Sequence, residues 1–149
     1  MKYSDGYKYQ LKEGKAFPTL IKPTRRLVTE FIILELSGLL IIKSGYAWDG
    51  PSGPTIDTPY FIVGSVAHDA LYQLMRMDLL DHKRWREADY ILRRIILSLL
   101  DASRGSDSYA RKLSRAVWKI RMPIAMAGLK LAKGRAALPS HRKKIYEIL

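Results

Sequence analysis

From Phe61 to Met75, the residues Ile62, Val63, Val66, Ala67, Ala70, Leu71, Leu74 and Met75 recur at intervals of three and four, which predicts a helix with one buried stripe. A base, a carboxylate and a phenol interrupt that stripe in the run Ala67-His68-Asp69-Ala70-Leu71-Tyr72. Residues four apart share a helix face, so His68 and Tyr72 lie one turn apart while Asp69 is turned roughly 100° aside. Polar groups placed against a core must find partners there, and this requirement constrains the rest of the chain.

A second helix, expected from Lys83 to Ala102, offers the partner. Its apolar set is Trp85, Ala88, Ile91, Leu92, Ile95, Ile96, Leu99 and Leu100, and Asp89 falls on the Trp85, Leu92, Ile96 edge of it. A carboxylate in that position is costly unless paired. If the helices run antiparallel, joined by Met77 to His82, Asp89 can accept bonds from the His68 ring and the Tyr72 hydroxyl. The resulting His-Asp dyad has two readings, a pair that only stabilises the fold or a working base with its orienting acid. His82 and His141 lie in polar segments and are expected to be exposed.

Ahead of the helices the chain reads as extended. Residues 1 to 23 suggest one or two short strands in irregular chain, Leu27 to Leu36 is rich in β-branched residues, and Leu39 to Ile42 follows Ser37-Gly38, which predicts a hairpin. The stretch Gly45-Tyr46-Ala47-Trp48-Asp49-Gly50-Pro51-Ser52-Gly53-Pro54-Thr55 reads as loop. It is either a plain turn into a helix capped by Thr58 and Pro59, or a loop whose carbonyls converge on a hard cation. The fold class is therefore α+β and mainly α. A single domain over residues 1–149 divides into a β-rich lead (1–45), a Gly/Pro loop (46–58), a helical core (59–133) and a basic tail (134–149).

Charge narrows the partners. The net charge is +12, and residues 102–149 carry ten of those twelve charges. Such a bias favours acidic lipid, a phosphate backbone or an acidic protein surface. A third helix is expected over Tyr109 to Lys133, either packed on the first two or lying on anionic membrane, with Pro123 kinking or dividing it. Ser140 to Leu149 reads as a short basic terminal helix. The absence of cysteine excludes disulfides and thiolate metal sites. No signal-peptide pattern opens the sequence, and no uncharged run approaches the roughly 20 residues of a spanning helix.

Two resemblances follow from these motifs. The glycine loop, the H-D-x-x-Y run at His68, Asp69 and Tyr72, and the later Ala88-Asp89 resemble the phospholipase A2 superfamily, particularly the cysteine-free form on parvovirus minor capsid proteins. The strings WDGPSGPT and AHDALY also resemble a phage and prophage family, domain of unknown function 1353, from about Leu27 to Trp118. The second resemblance implies a phage virion or host cytoplasm as the setting. The first implies a calcium-dependent lipid ester hydrolase at an anionic membrane. It makes His68 the general base, Asp89 the residue that orients it and Tyr72 the residue that holds Asp89. It also gives calcium to Asp69, with carbonyls near Trp48, Gly50 and Ser52 completing the shell and Asp49 as an additional ligand. The rival readings are a non-catalytic virion component that contacts other virion proteins, and a nucleic-acid binder suggested by charge alone. The basic third carries few aromatics for base stacking, only Tyr109, Trp118 and Tyr146.

Overall fold

The computed structural model describes residues 2–3, 9–50, 59–102, 109–132, 134–138 and 146–147. Short antiparallel strands come first and helices follow, a mixed α+β chain. The strands are β1 (Lys2–Tyr3), β2 (Tyr9–Gln10), β3 (Lys15–Pro18), β4 (Leu27–Val28), β5 (Ile32–Leu34), β6 (Leu39–Ile42) and β7 (Ala47–Trp48). Helices α1 (Pro59–Arg76), α2 (Trp85–Ala102) and α3 (Tyr109–Ala132) come next, and β8 (Tyr146–Glu147) follows them.

Strands β3, β6, β5 and β4 form one antiparallel sheet in that order, while β2 pairs with β7 and β1 with β8. Alternation sets the buried face. Phe17, Leu27, Ile32, Leu34, Leu40 and Ile42 point inward, where they meet Ala67, Ala70, Leu71, Leu74 and Met75 of α1 in one core. The run expected as one strand from Leu27 to Leu36 is two strands, because Thr29 turns the chain between them. Its amide donates to the Ile32 carbonyl at 2.8 Å, and its Oγ1 accepts from the Ile32 N–H at 2.9 Å.

Helix α1 ends where Asp78 adopts φ 57°. The Leu79 amide donates back to the Leu74 carbonyl and the Asp78 amide to Met75, both at 3.0 Å, a Schellman-type stop. Asp81 then caps the next turn by accepting from the Lys83 N–H at 2.9 Å, and a short 3-10 turn (His82–Arg84) leads into α2. So tight a connection makes α1 and α2 antiparallel neighbours. Gly64 of α1 lies against Leu92 and Ile96, and the later Tyr72 lies against the earlier Asp89.

Five consecutive residues of α1, Gly64 to His68, are buried, because the sheet covers one side and α2 the other. Beyond them a second cluster joins Phe61, Leu92, Ile96 and Leu100 to Met122, which seats α3. Three expectations change here. Of the two outcomes expected at Pro123, division does not occur: helix α3 runs through this exposed residue. Tyr146–Glu147 is strand rather than terminal helix, paired with Lys2–Tyr3. Within the expected loop, Ala47–Trp48 is strand, held by pairing with Tyr9–Gln10. Thr58, His141 and the loop residues 51–57 lie outside the described residues.

Candidate active site

Asp89 is the buried centre of the α1–α2 seam. Its Oδ1 lies 2.8 Å from His68 Nε2 and accepts from the Tyr72 hydroxyl, also at 2.8 Å. Periodicity explains the convergence. His68 and Tyr72 are one turn apart on α1, so both overhang the single α2 position that carries the acid. The imidazole and phenol rings lean on each other with centroids 4.1 Å apart, which fixes the imidazole plane. Gly64 allows the approach. A Cβ there would stand 2.8 Å from Leu92 Cδ1, so the leucine or the helix spacing would have to shift.

Asp69 does not stand apart as its helix position suggested. Its Oδ1 lies 3.4 Å from His68 Nδ1, so each ring nitrogen faces a carboxylate. The His68 side chain is 10% exposed, Asp89 6% and Asp69 24%, which makes Asp69 the edge of the cluster nearest water. Burial pulls the His68 pKa down, but the hydrogen bonds to Asp69 and Asp89 and their negative charges outweigh it, pushing it up to about 9. Between them the two acids favour the imidazolium at neutral pH. Burial first, and then the Asp89 charge, hold the Tyr72 phenol well above its usual value, so it remains a donor.

The remaining candidates lie on or after β7. Trp48 is buried between Tyr46 and Tyr9, and its indole N–H donates to Ser65 Oγ at 3.0 Å. Ser65 Oγ in turn donates to the Ile62 carbonyl at 2.9 Å. Strand β7 is thereby pinned to α1 one turn before Asp69. The sequence signal for Ser65 is a hydroxyl inside an apolar run, a weak one because serines inside helices usually bond their own backbone. Gly50 has φ 77° and lies under the Tyr9 ring, where a Cβ would come within 2.5 Å of Cε2, so packing accounts for the glycine. Asp49 is exposed, and Ser52 lies outside the described residues. Among the described residues no three His, Asp or Glu side chains gather where an ion could be held, and Asp69 faces an imidazole. The loop carbonyls expected to complete a calcium shell around Asp69 fall partly in residues 51–57, outside the described residues.

A cleft of about 260 Å³ lies elsewhere, between Pro23 to Leu27 and Leu79 to Arg84. Fold and site together define an α+β protein with an imidazole held between two acids at a helix seam. No family model, curated protein or solved structure matches the chain.

Proposed function

We propose that the chain is a hydrolase of lipid esters in which His68 acts as general base, a phage-derived protein by its motif resemblance. The observation that carries the reading is the contact of His68 Nε2 with the buried Asp89, itself held by Tyr72. With Nε2–H given to Asp89, the neutral ring has its lone pair on Nδ1, the nitrogen that faces Asp69, the more exposed of the two acids. That nitrogen would take the proton of a water attacking the ester carbonyl, and Asp89 would stabilise the imidazolium that forms. The imidazolium would then return the proton to the leaving alkoxide.

The raised pKa sets the pH dependence. The base form is scarce at pH 7 and fills as pH approaches 9, so kcat/KM should rise across that interval. The test is fatty-acid release from phosphatidylglycerol vesicles between pH 6 and 9.5, with added calcium and with chelator, for the native chain and for His68→Gln. Release that climbs with pH and drops by about a hundredfold or more in the variant supports the reading, in line with the usual worth of a general base. No release under any of these conditions from folded protein overturns it.

A second reading rests on the same atoms. Because both ring nitrogens meet carboxylates, the cluster also fits an internal ion pair that sets the register of α1 against α2. Replacing His68 and Asp89 together with Met and Leu separates the two. A fold of equal or greater stability with no loss of any measurable turnover would favour the structural role.

A further inference from the structure

Helix α3 presents an apolar face that nothing else in the described structure covers. Ile120 is 70% exposed, Ile124 61% and Leu131 80%, while Met122 is buried on the opposite side against Phe61, Leu92 and Leu100. At about 100° per residue, Pro123, Ile120, Ala127, Leu131, Ile124 and Gly128 occupy one continuous arc of roughly 140°. Each of these residues is exposed, and a Cβ added at Gly128 would meet nothing within 4 Å. Lys119 and Lys130 are exposed as well, and both fall just beyond the Pro123 edge of the arc.

We infer that this face docks on an anionic lipid surface, with the isoleucines and Leu131 entering the headgroup boundary and the two lysines meeting lipid phosphates. Charge decides against a second copy of the chain. The α3 sequence contains no acidic residue, so two such faces would bring cation against cation, whereas an anionic bilayer complements it. Lysine stems lie along apolar surface with their ammonium groups outward, as such an interface requires. The helix lies on the membrane rather than across it, for no helix among the described residues is long and apolar enough to span. The inference deepens the lipid reading proposed above but stands on different residues, so binding and turnover can fail separately.

The experiment uses the full chain and vesicles of phosphatidylcholine alone or mixed with phosphatidylglycerol. The native sequence has no cysteine, so Ile124→Cys gives a unique position for an environment-sensitive fluorophore, with Glu13→Cys on the β-rich lead as control. Flotation with the anionic vesicles only, and a blue shift at position 124 but not at 13, is the expected result. The double variant Ile120→Asp, Ile124→Asp should lower partitioning at least about tenfold, as the loss of two buried isoleucines implies. These side chains are outside the core, and circular dichroism checks that the variant keeps its helices. Partitioning that is absent, or unchanged by the aspartates, overturns the inference. So does a dimer in sedimentation equilibrium that the same aspartates dissolve, since the face would then belong to a protein interface. His68→Gln should bind vesicles as the native chain does, whatever its effect on hydrolysis.

Discussion

At the scale of single residues, the molecule places one imidazole between two carboxylates and gives one of them a phenol as well. The folded His68 pKa, about 9, lies above the unfolded value of 6.5, so the folded state holds more protons between those values. Stability from this cluster is thus fully present below about pH 6.5 and is lost as pH rises through 9, by an amount on the order of 3 kcal/mol. Urea titrations at pH 6 and pH 9.5 should show the fall, and Asp69→Asn should reduce it while moving the His68 NMR titration to lower pH. Tyr72→Phe should cost about 1 kcal/mol, the net worth of one hydrogen bond. It should also raise the His68 pKa, since Asp89 Oδ1 would no longer be shared with the phenol. The meeting of His68, Tyr72 and Asp89 was legible in the sequence because helical spacing fixes which side chains overhang a seam. The swing of Asp69 toward Nδ1 was not. Helix position sets where a Cβ points, and a carboxylate turned aside can still reach its neighbour's ring. The Trp48–Ser65 bond was hidden for another reason: a strand and a helix distant in sequence supply one partner each.

At the scale of elements, everything at the seam depends on how closely α1 and α2 approach. Gly64→Val would drive methyl groups into Leu92 and Ile96, a substitution expected to cost about 1–3 kcal/mol by overpacking. Its specific mark would be a His68 pKa that falls toward the ordinary value as the ring draws away from Asp89, read in the same NMR titration. All three helices were readable from apolar periodicity. Strands were harder to bound. Leu27 to Leu36 looks continuous by composition, yet one threonine bonding to Ile32 is enough to turn it back. The last strand could not be foreseen at all, since Tyr146–Glu147 owes its extended form to pairing with Lys2–Tyr3 at the far end of the sequence.

At the scale of the whole molecule, the segment after α3 closes the core. Gly134 has φ 68°, and a Cβ there would stand 2.3 Å from Trp85 Cγ, while Ala137 is fully buried and the Ala136 carbonyl accepts from Arg76 at 3.0 Å. Gly134→Val should therefore destabilise the fold by about 2 kcal/mol or more, through strain and collision together, read as an unfolding midpoint lowered more than by a surface change. The sandwiched turn of α1, Gly64 to His68, has a further consequence. A helix walled by the sheet on one side and by α2 on the other loses support whichever wall departs. Neither half can open alone without stripping the same turn. Amide protons from Gly64 to His68 should accordingly exchange with solvent only through global unfolding, at one shared free energy. In deuterium exchange the sheet and the α1–α2 pair would behave as one cooperative unit.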